Sequence, residues 1–562
     1  MGLNEMLRNN ISSKRMRYWR EYLTGYLFIS PAVFLIFLFG IFPVGFALYV
    51  SLHKWRIKRS GYIGLDNYTR AVGNLTYVML FFLALGALVG AYFLIRKIIR
   101  SAEEHQETPW LLVLPAIVHA AVIGALLRYV WFQLPEFLLI GDKLIGQEKT
   151  RELFNQLLSE AFNAVRPQFM LFFWLLLASI ALGSLFAYLF RSPRNAFYQS
   201  QFMLMWMSLA AGVGLAYYTY SEVLRAYAEA VETNTDPGIW PQVISVSGGF
   251  FLLGIAWFIW NGASKEFSNP KFWLRIFAAM FLLVGGWLLI GEIPQMVAAG
   301  DQEMWMGVDD DIWLGLKVTV FFSLGTVPFQ LSISMFLAIL LFQKLKGSEL
   351  FRMLFFLPYV TPFIASAAVF RQLFSNRETG PINMILKALG MQPQAWLFES
   401  KGIFQLIASG QGWEWPEWAA GPSLALVVIM IHSIWTYVGY DTVIYLAGLG
   451  NIPTELNEAA EIDGASRWDI FRHITFPLLS PTTYFLSLIA IIGTFKAFAT
   501  IWVFRESLAL GTVDTFSVAI FLEFFDKLRF GYASAMAFVL FAIILSLTYI
   551  NNRVQGSRVF YG

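Results

Sequence analysis

The stretch IPTELNEAAEIDGASRWDIFRHITFPLLSP (452–481) holds the densest set of residues that could do chemistry. Glu455, Glu458 and Glu461 recur at three-residue steps, which places carboxylates in and near the early turns of a helix, where the dipole favours them, though only weakly beyond the first turn. Pro453 suits the first turn of that helix, where its missing N–H costs nothing. Gly464 can end it in a left-handed conformation. Ser466 and Asp469, at S-x-x-D spacing, form a capping-box signature for a second short helix. Pro477 and Pro481 interrupt helical hydrogen bonding before the next apolar run. The spacing predicts a helix–turn–helix on a membrane surface, either an amphipathic interfacial loop or a contact for a partner.

Apolar runs on either side carry a second set. His432, Trp435, Tyr437, Tyr440 and Asp441 precede the stretch, and Thr494, Lys496 and Phe498 follow it. Polar groups inside apolar spans are expensive, so they mark pathway or binding positions. His432 also fits an interhelical hydrogen bond. Lys496 could snorkel or pair with Asp441. A third set, Glu103, Glu104 and His105 in SAEEHQE, reads as a solvated loop rather than a metal site. There is no Cys, which excludes disulfides and thiolate metal sites, and the five His show no metal-ligand spacing. No GxxxxGK[ST] is present, so the chain itself is not expected to bind ATP.

The elements that must position these residues follow from composition. Hydrophobic residues make up 57% and charged residues only 14% of the chain, against about 25% charged in soluble domains. With 54 Phe and 20 Trp, so much apolar surface requires a bilayer. The net charge of +3 gives no argument for nucleic acid. By the criterion of roughly 20 apolar residues per span, about twelve candidates appear. They lie near 23–51, 76–95, 109–133, 168–190, 202–221, 243–262, 272–291, 314–342, 353–373, 422–445, 475–502 and 530–551. The expected fold class is an all-α integral membrane protein.

Positive charge in short loops marks the cytoplasm. With the N-terminal tail (Arg8, Lys14, Arg15, Arg17, Arg20) inside, alternate loops carrying 96–100, 191–194, Lys265/Lys271/Arg275, Lys344/Lys346/Arg352, Arg467/Arg472 and Arg553/Arg558 also fall inside, so both termini are cytoplasmic. KWRIKR (54–59) disagrees and would lie outside. The charged segment 134–167 and the Trp-rich segment 395–420 fall outside as well. There WEWPEW (413–418) reads as an aromatic belt or a contact for an external partner.

Glu458-Ala459-Ala460, then Gly464, then Ile474-x-x-Pro477 resembles the EAA loop of ABC-importer permeases, with Phe476 where Leu is usual. The blocks 344–370 (KLKGSELFRMLFFLPYVTPFIASAAVF), 380–390 (GPINMILKALG) and 530–541 (FGYASAMAFVLF) resemble the carbohydrate branch of that family, as do 28–55 and 62–70. The likeness covers about 23–72 and 308–562 and is closest to the first permease of maltose-type importers.

The resemblance implies a six-helix permease core in an inner membrane, importing a sugar by alternating access. Its implied partners are a second permease, two ATPase subunits that hold ATP and Mg, and an external solute-binding protein. The loop 451–477 would dock on the ATPase through Glu458, Ala459, Ala460, Asp463, Gly464, Ala465, Ile474 and Pro477. The chain would be a transport subunit and no enzyme, with no cofactor of its own. Matching positions for sugar contact are Tyr437, Tyr440, Thr494 and Ala497, and Asp441, Lys496 and Phe498 join them by proximity. Asn positions of the family are replaced by Thr494, Lys496 and Ala497, which argues against maltose, and Lys496 would suit an anionic sugar.

The expected organisation is 1–75 (tail, first span, start of an external loop), 76–307 (an insert with about six spans of its own) and 308–562 (permease core). The insert matches nothing in the family, and lateral packing or an accessory subunit are its candidate roles. A self-contained secondary transporter and a membrane enzyme acting through the insert are the alternatives.

Overall fold

A computed structural model describes residues 20–57, 59–190, 192–233, 239–262, 273–298, 310–343, 347–413, 416, 419–509 and 511–554. Arg8, Lys14, Arg15 and Arg17 of the tail, Arg191, Lys265, Lys271, Lys344, Lys346, Arg558 and part of WEWPEW lie outside the described residues. The described residues are mainly helical, and the chain divides into two compact units: 1–73 with 294–562, and 74–293.

Among the described residues nine helices are long and apolar enough to cross a membrane, or up to eleven if each of two bent pairs counts as one span. The run near 272–291 forms the helix Trp273–Ala298, of which Leu274–Leu289 is counted as an apolar helix below span length, and the runs near 353–373 and 475–502 are bent pairs, so the expected twelve is not confirmed.

In the first unit, α1 (Arg20–Ser51) contains a π-helical turn at Phe37–Ile41. A small antiparallel hairpin follows, β1 (His53–Trp55) and β2 (Arg59–Tyr62), across the basic segment that disagreed with the charge pattern. Asn67 Nδ2 donates to the Ser51 and His53 carbonyls at 2.8 and 3.2 Å, which pins the helix Asp66–Val72 to the end of α1.

The core of this unit is α2 (Asp310–Phe342), α3 (Ser348–Val360), α4 (Phe363–Leu373), α5 (Leu424–Gly450), α6 (Thr454–Ile462), α7 (Ser480–Phe495), α8 (Phe516–Phe525) and α9 (Phe530–Val554). α3 and α4 meet at 94°. The residue before a proline is pushed out of the helical region, and Thr361 before Pro362 sits at φ −66°, ψ 135°. The other bend, 59°, separates Arg467–Leu478 from α7 where Pro481 enters the first turn of α7.

α5 is the buried centre of the unit. Val428 and Ile429 have no exposed surface and pack with Val318 and Phe322 of α2 and Ala367 of α4. At its other end Tyr445 and Leu449 pack with Ala338 of α2 and Leu486 of α7. α3 crosses α5 so closely at Gly439 that a Cβ there would overlap the Phe355 carbonyl. This contact places Tyr359 of α3 over Tyr440 of α5.

In the second unit Leu75–His105 packs along Asn195–Thr233 through small residues. Ser208 donates to the Ala87 carbonyl at 2.7 Å, and Ala91 is buried with Tyr198, Phe202 and Met205. Close approach through small residues is how helices associate in lipid, where no hydrophobic force drives them together. The segment expected as a charged external loop, 134–167, is largely helical. Val113–Lys143 runs through Pro135, and Thr150 caps Arg151–Ala164 by accepting from the Leu153 N–H.

Gly439→Ala should lower the thermal stability of the purified protein by about 3 kcal/mol, the upper end for overpacking, since a backbone carbonyl cannot rotate away. Gly450→Ala, which meets nothing within 4 Å, should stay within about 0.5 kcal/mol of the parent.

Candidate functional site

Two features of the first unit carry polar groups of functional interest, and α5 and α7 connect them. The first is a cavity of about 550 Å³ lined by α2, α3, α5, α7 and the break after α7. α5 contributes Ser433, Tyr437, Tyr440 and Asp441, and the first three share one helical face at spacings of four and three residues. Thr494, Lys496, Ala497 and Phe498 line the wall opposite in sequence, where α7 ends at Lys496 and the chain breaks before the short helix Ala499–Trp502. All six residues singled out in these two runs as substrate positions thus border one space.

The tyrosines form an aromatic group. Tyr359 stacks on Tyr440 with ring centroids 4.6 Å apart and meets Tyr437 edge-on at 5.9 Å. Opposite, Phe498 stacks on Trp502 and contacts Phe521. Asp441 is buried and accepts a hydrogen bond from Gln330 Nε2 of α2 at 2.6 Å. Thr494 Oγ1 lies 2.9 Å from both Ser323 Oγ of α2 and the Ile491 carbonyl. Lys496 is exposed, and among the described residues it forms no ion pair with Asp441. The pairing considered from sequence is replaced by the Gln330 bond.

His432 lies apart from the cavity. Its Nε2 is 3.0 Å from Ser366 Oγ of α4, and its ring is edge-on to Phe363, Phe370 and Phe504. It is an interhelical hydrogen-bonding group in an aromatic cage.

The second feature is the loop between α5 and α7. α6 follows Pro453, which sits at the N-cap rather than inside the first turn. At the other end Ala465 N–H donates to the Ala460 carbonyl at 2.9 Å and Gly464 N–H to the Glu461 carbonyl at 3.1 Å. These two bonds are the Schellman pattern, and it requires the left-handed residue that Gly464 supplies at φ 81°. Ser466 then caps Arg467–Ile470 in a full capping box with Asp469. The Ser466 hydroxyl and amide hold the Asp469 carboxyl below the usual carboxylate range.

Glu458, Ala459, Asp463 and Gly464 are exposed, and Ala460, Ala465, Ile474 and Pro477 are half-buried. Ile462 and Trp468 stand out from the loop at 86% and 64% exposure. The base of the loop is clamped, because Tyr445 OH of α5 donates to Thr483 Oγ1 of α7 at 3.2 Å.

The sequence reading did not name Gln330, Ser433 or Tyr359 as site residues. Gln330 was visible as a lone amide in an apolar run, the same signal that marked Asp441. Tyr359 sat in a quoted block, but nothing in its spacing said that α3 would break there. Among the described residues no group of three His, Cys, Asp or Glu could hold a metal ion.

These features agree with what known proteins share with the chain. The family described as "Binding-protein-dependent transport system inner membrane component" matches residues 330–558, which include the loop and the cavity-lining residues other than Phe322. The probable ABC transporter permease protein YesP of Bacillus subtilis is 33% identical over 46% of this chain and 77% of its own length. The arabinooligosaccharides transport system permease protein AraP of the same organism is 31% identical over 44% of this chain and 71% of its own. The lactose transport system permease protein LacF of Rhizobium radiobacter is 30% identical over 44% and 78%. The chain belongs to the family of ABC-transporter permeases that form the inner-membrane component of binding-protein-dependent transport systems.

Because the Asp469 carboxylate is held below its usual range, its support of the second loop helix is present above the unfolded pKa and is lost as pH falls through the depressed folded value. Amide protection at 467–470, measured relative to the unstructured rate at each pH, should therefore be held at neutral pH and fall in acid. Ser466→Ala should lower that protection at neutral pH by removing a cap worth about 1 kcal/mol.

Proposed function

We propose that this chain is the permease subunit through which a carbohydrate, an oligosaccharide or related sugar, crosses the inner membrane toward the cytoplasm. The observation that carries this reading is the shared framework. α5 and α7 line the cavity, and the same two helices flank the exposed loop. A partner that moves the loop moves both cavity walls, since Tyr445 and Thr483 tie the helices at the loop's base. Such a rigid-body switch between two states is the physical basis of alternating access.

The sugar assignment draws on chemistry and kinship. Tyr359, Tyr437 and Tyr440 offer aromatic faces for sugar rings, while Thr494, Ser433 and the tyrosine hydroxyls offer polar partners for sugar OH groups. AraP and LacF are named for oligosaccharide and lactose transport. The exposed carboxylates of Glu458 and Asp463, with Ile462 and Trp468 beside them, form the docking element for a separate ATPase. That partner, present twice, holds ATP and Mg. A second permease completes the pathway, and an external binding protein delivers the sugar. Both termini lie in the cytoplasm, and the chain's role is transport rather than catalysis. The unit 74–293 is accessory to this pathway, in lateral packing or in holding a further subunit.

The test is ATP hydrolysis by the complex of this chain with its second permease and ATPase in proteoliposomes. A liganded binding protein should stimulate hydrolysis and uptake together. Gly464→Val places a β-branched residue in the left-handed region at a cost of about 1–2 kcal/mol, confined to the loop. It should leave membrane insertion intact and abolish the stimulation. Full stimulation in this variant would remove the coupling assignment, and no co-assembly with an ATPase would remove the importer reading.

A further inference from the structure

Gln330 and Asp441 are deeply buried polar side chains bordering the cavity, at 5% and 4% exposure. They come from α2 and α5 and meet at 2.6 Å. Beside them the two helices approach through hydroxyls. Ser334 Oγ lies 2.7 Å from the Gln330 carbonyl of its own helix and 3.0 Å from the Val438 carbonyl, and Thr442 Oγ1 lies 2.7 Å from the Val438 carbonyl of its own helix and 3.4 Å from the Ser334 carbonyl. These contacts hold the backbones of α2 and α5 close where Gln330 and Asp441 meet.

The chemistry of the pair is asymmetric. An ionised carboxylate only accepts, whereas a primary amide has one donating and one accepting end. With one Nε2 hydrogen committed to Asp441, Gln330 keeps its carbonyl oxygen as an acceptor. Apart from the Asp441 carboxylate itself, the polar side chains of the described cavity lining are hydroxyls, which donate or accept, and the Lys496 ammonium, which only donates.

Resting on the carbohydrate reading above, we propose that Asp441 is a positioning residue that fixes the Gln330 amide with its carbonyl oxygen presented to the cavity, so that position 330 selects a donor hydroxyl on the transported sugar. A site built to bond a particular hydroxyl rejects the analogue that lacks it, because the buried acceptor is left unpaired. Asp441 acts through Gln330 and needs no contact with the sugar. Asp441→Asn keeps the size and the hydrogen bond but offers both a donor and an acceptor, which frees the Gln330 amide to face either way.

The test uses the full complex in proteoliposomes, with lactose, maltose and arabinobiose as probes and the monodeoxy derivatives of whichever disaccharide is taken up. The native complex should discriminate against one deoxy position by roughly tenfold or more, the worth of a hydrogen bond to a fixed acceptor. Asp441→Asn, compared at equal membrane abundance, should collapse that ratio toward one while discrimination at the other positions stands. Gln330→Asn, which keeps the amide but shortens its arm, should weaken the same ratio and carries the test if Asp441→Asn does not assemble. A uniform fall in uptake with every ratio unchanged in both variants would show the pair to be structural and overturn the inference alone. Uptake of no disaccharide by the native complex would overturn the carbohydrate reading and the inference with it.

Discussion

A polar side chain in a hydrocarbon slab must find a partner or water, and the Gln330–Asp441 bond is where this constraint acts most strongly in the permease unit. The two residues are 111 positions apart, yet their bond and the Ser334 and Thr442 bonds beside it set the register of α2 against α5. That register decides which face of α5 looks into the cavity. Ser433, Tyr437 and Tyr440 fall on it, and His432, one position away, turns instead into the aromatic cage with Ser366. The cavity is thus a consequence of helix pairing under a solvation constraint.

The loop obeys a different economy. Its backbone ends are satisfied locally by the Schellman bonds at Gly464 and the capping box of Ser466 with Asp469. The capping duty therefore falls on Ser466 and Asp469 and not on the larger exposed side chains. Ile462 and Trp468 are large apolar groups held out from a short rigid element, the arrangement expected of a docking surface. The break after Lys496 mirrors the one at Pro362, and both end a helix at the cavity. Interrupted helices are tolerated inside a membrane protein where they line a polar space.

Much of the loop was legible in the sequence because its signals are local. Capping, left-handed glycine and proline placement depend on residues a few positions apart. Tyr437, Tyr440, Asp441, Thr494 and Lys496 were legible as polar intrusions in apolar runs, and Phe498 only by its place beside them. Tyr359 was not, because its role comes from the close crossing of α3 over Gly439, which no one-dimensional pattern encodes. The bends within two of the expected spans were hidden for a related reason. A window of apolar residues reads the same whether the helix is straight or bent by 94° at Pro362. The hairpin over 53–62 was hidden by its basic composition, which signalled a loop side rather than a strand. In 74–293 hydropathy revealed helices but no chemistry, since small-residue packing uses the least informative side chains.

The central claim, that the tyrosine-lined cavity is the path and that the ATPase switches its access, can be measured directly because the chain has no cysteine. A single Tyr440→Cys variant in the assembled complex can be labelled by a membrane-impermeant maleimide from either side. The account predicts labelling from one side in the resting complex, labelling from the opposite side when ATP is trapped, and protection by the transported sugar in both. Labelling from neither side, or from the same side in both states, would contradict it.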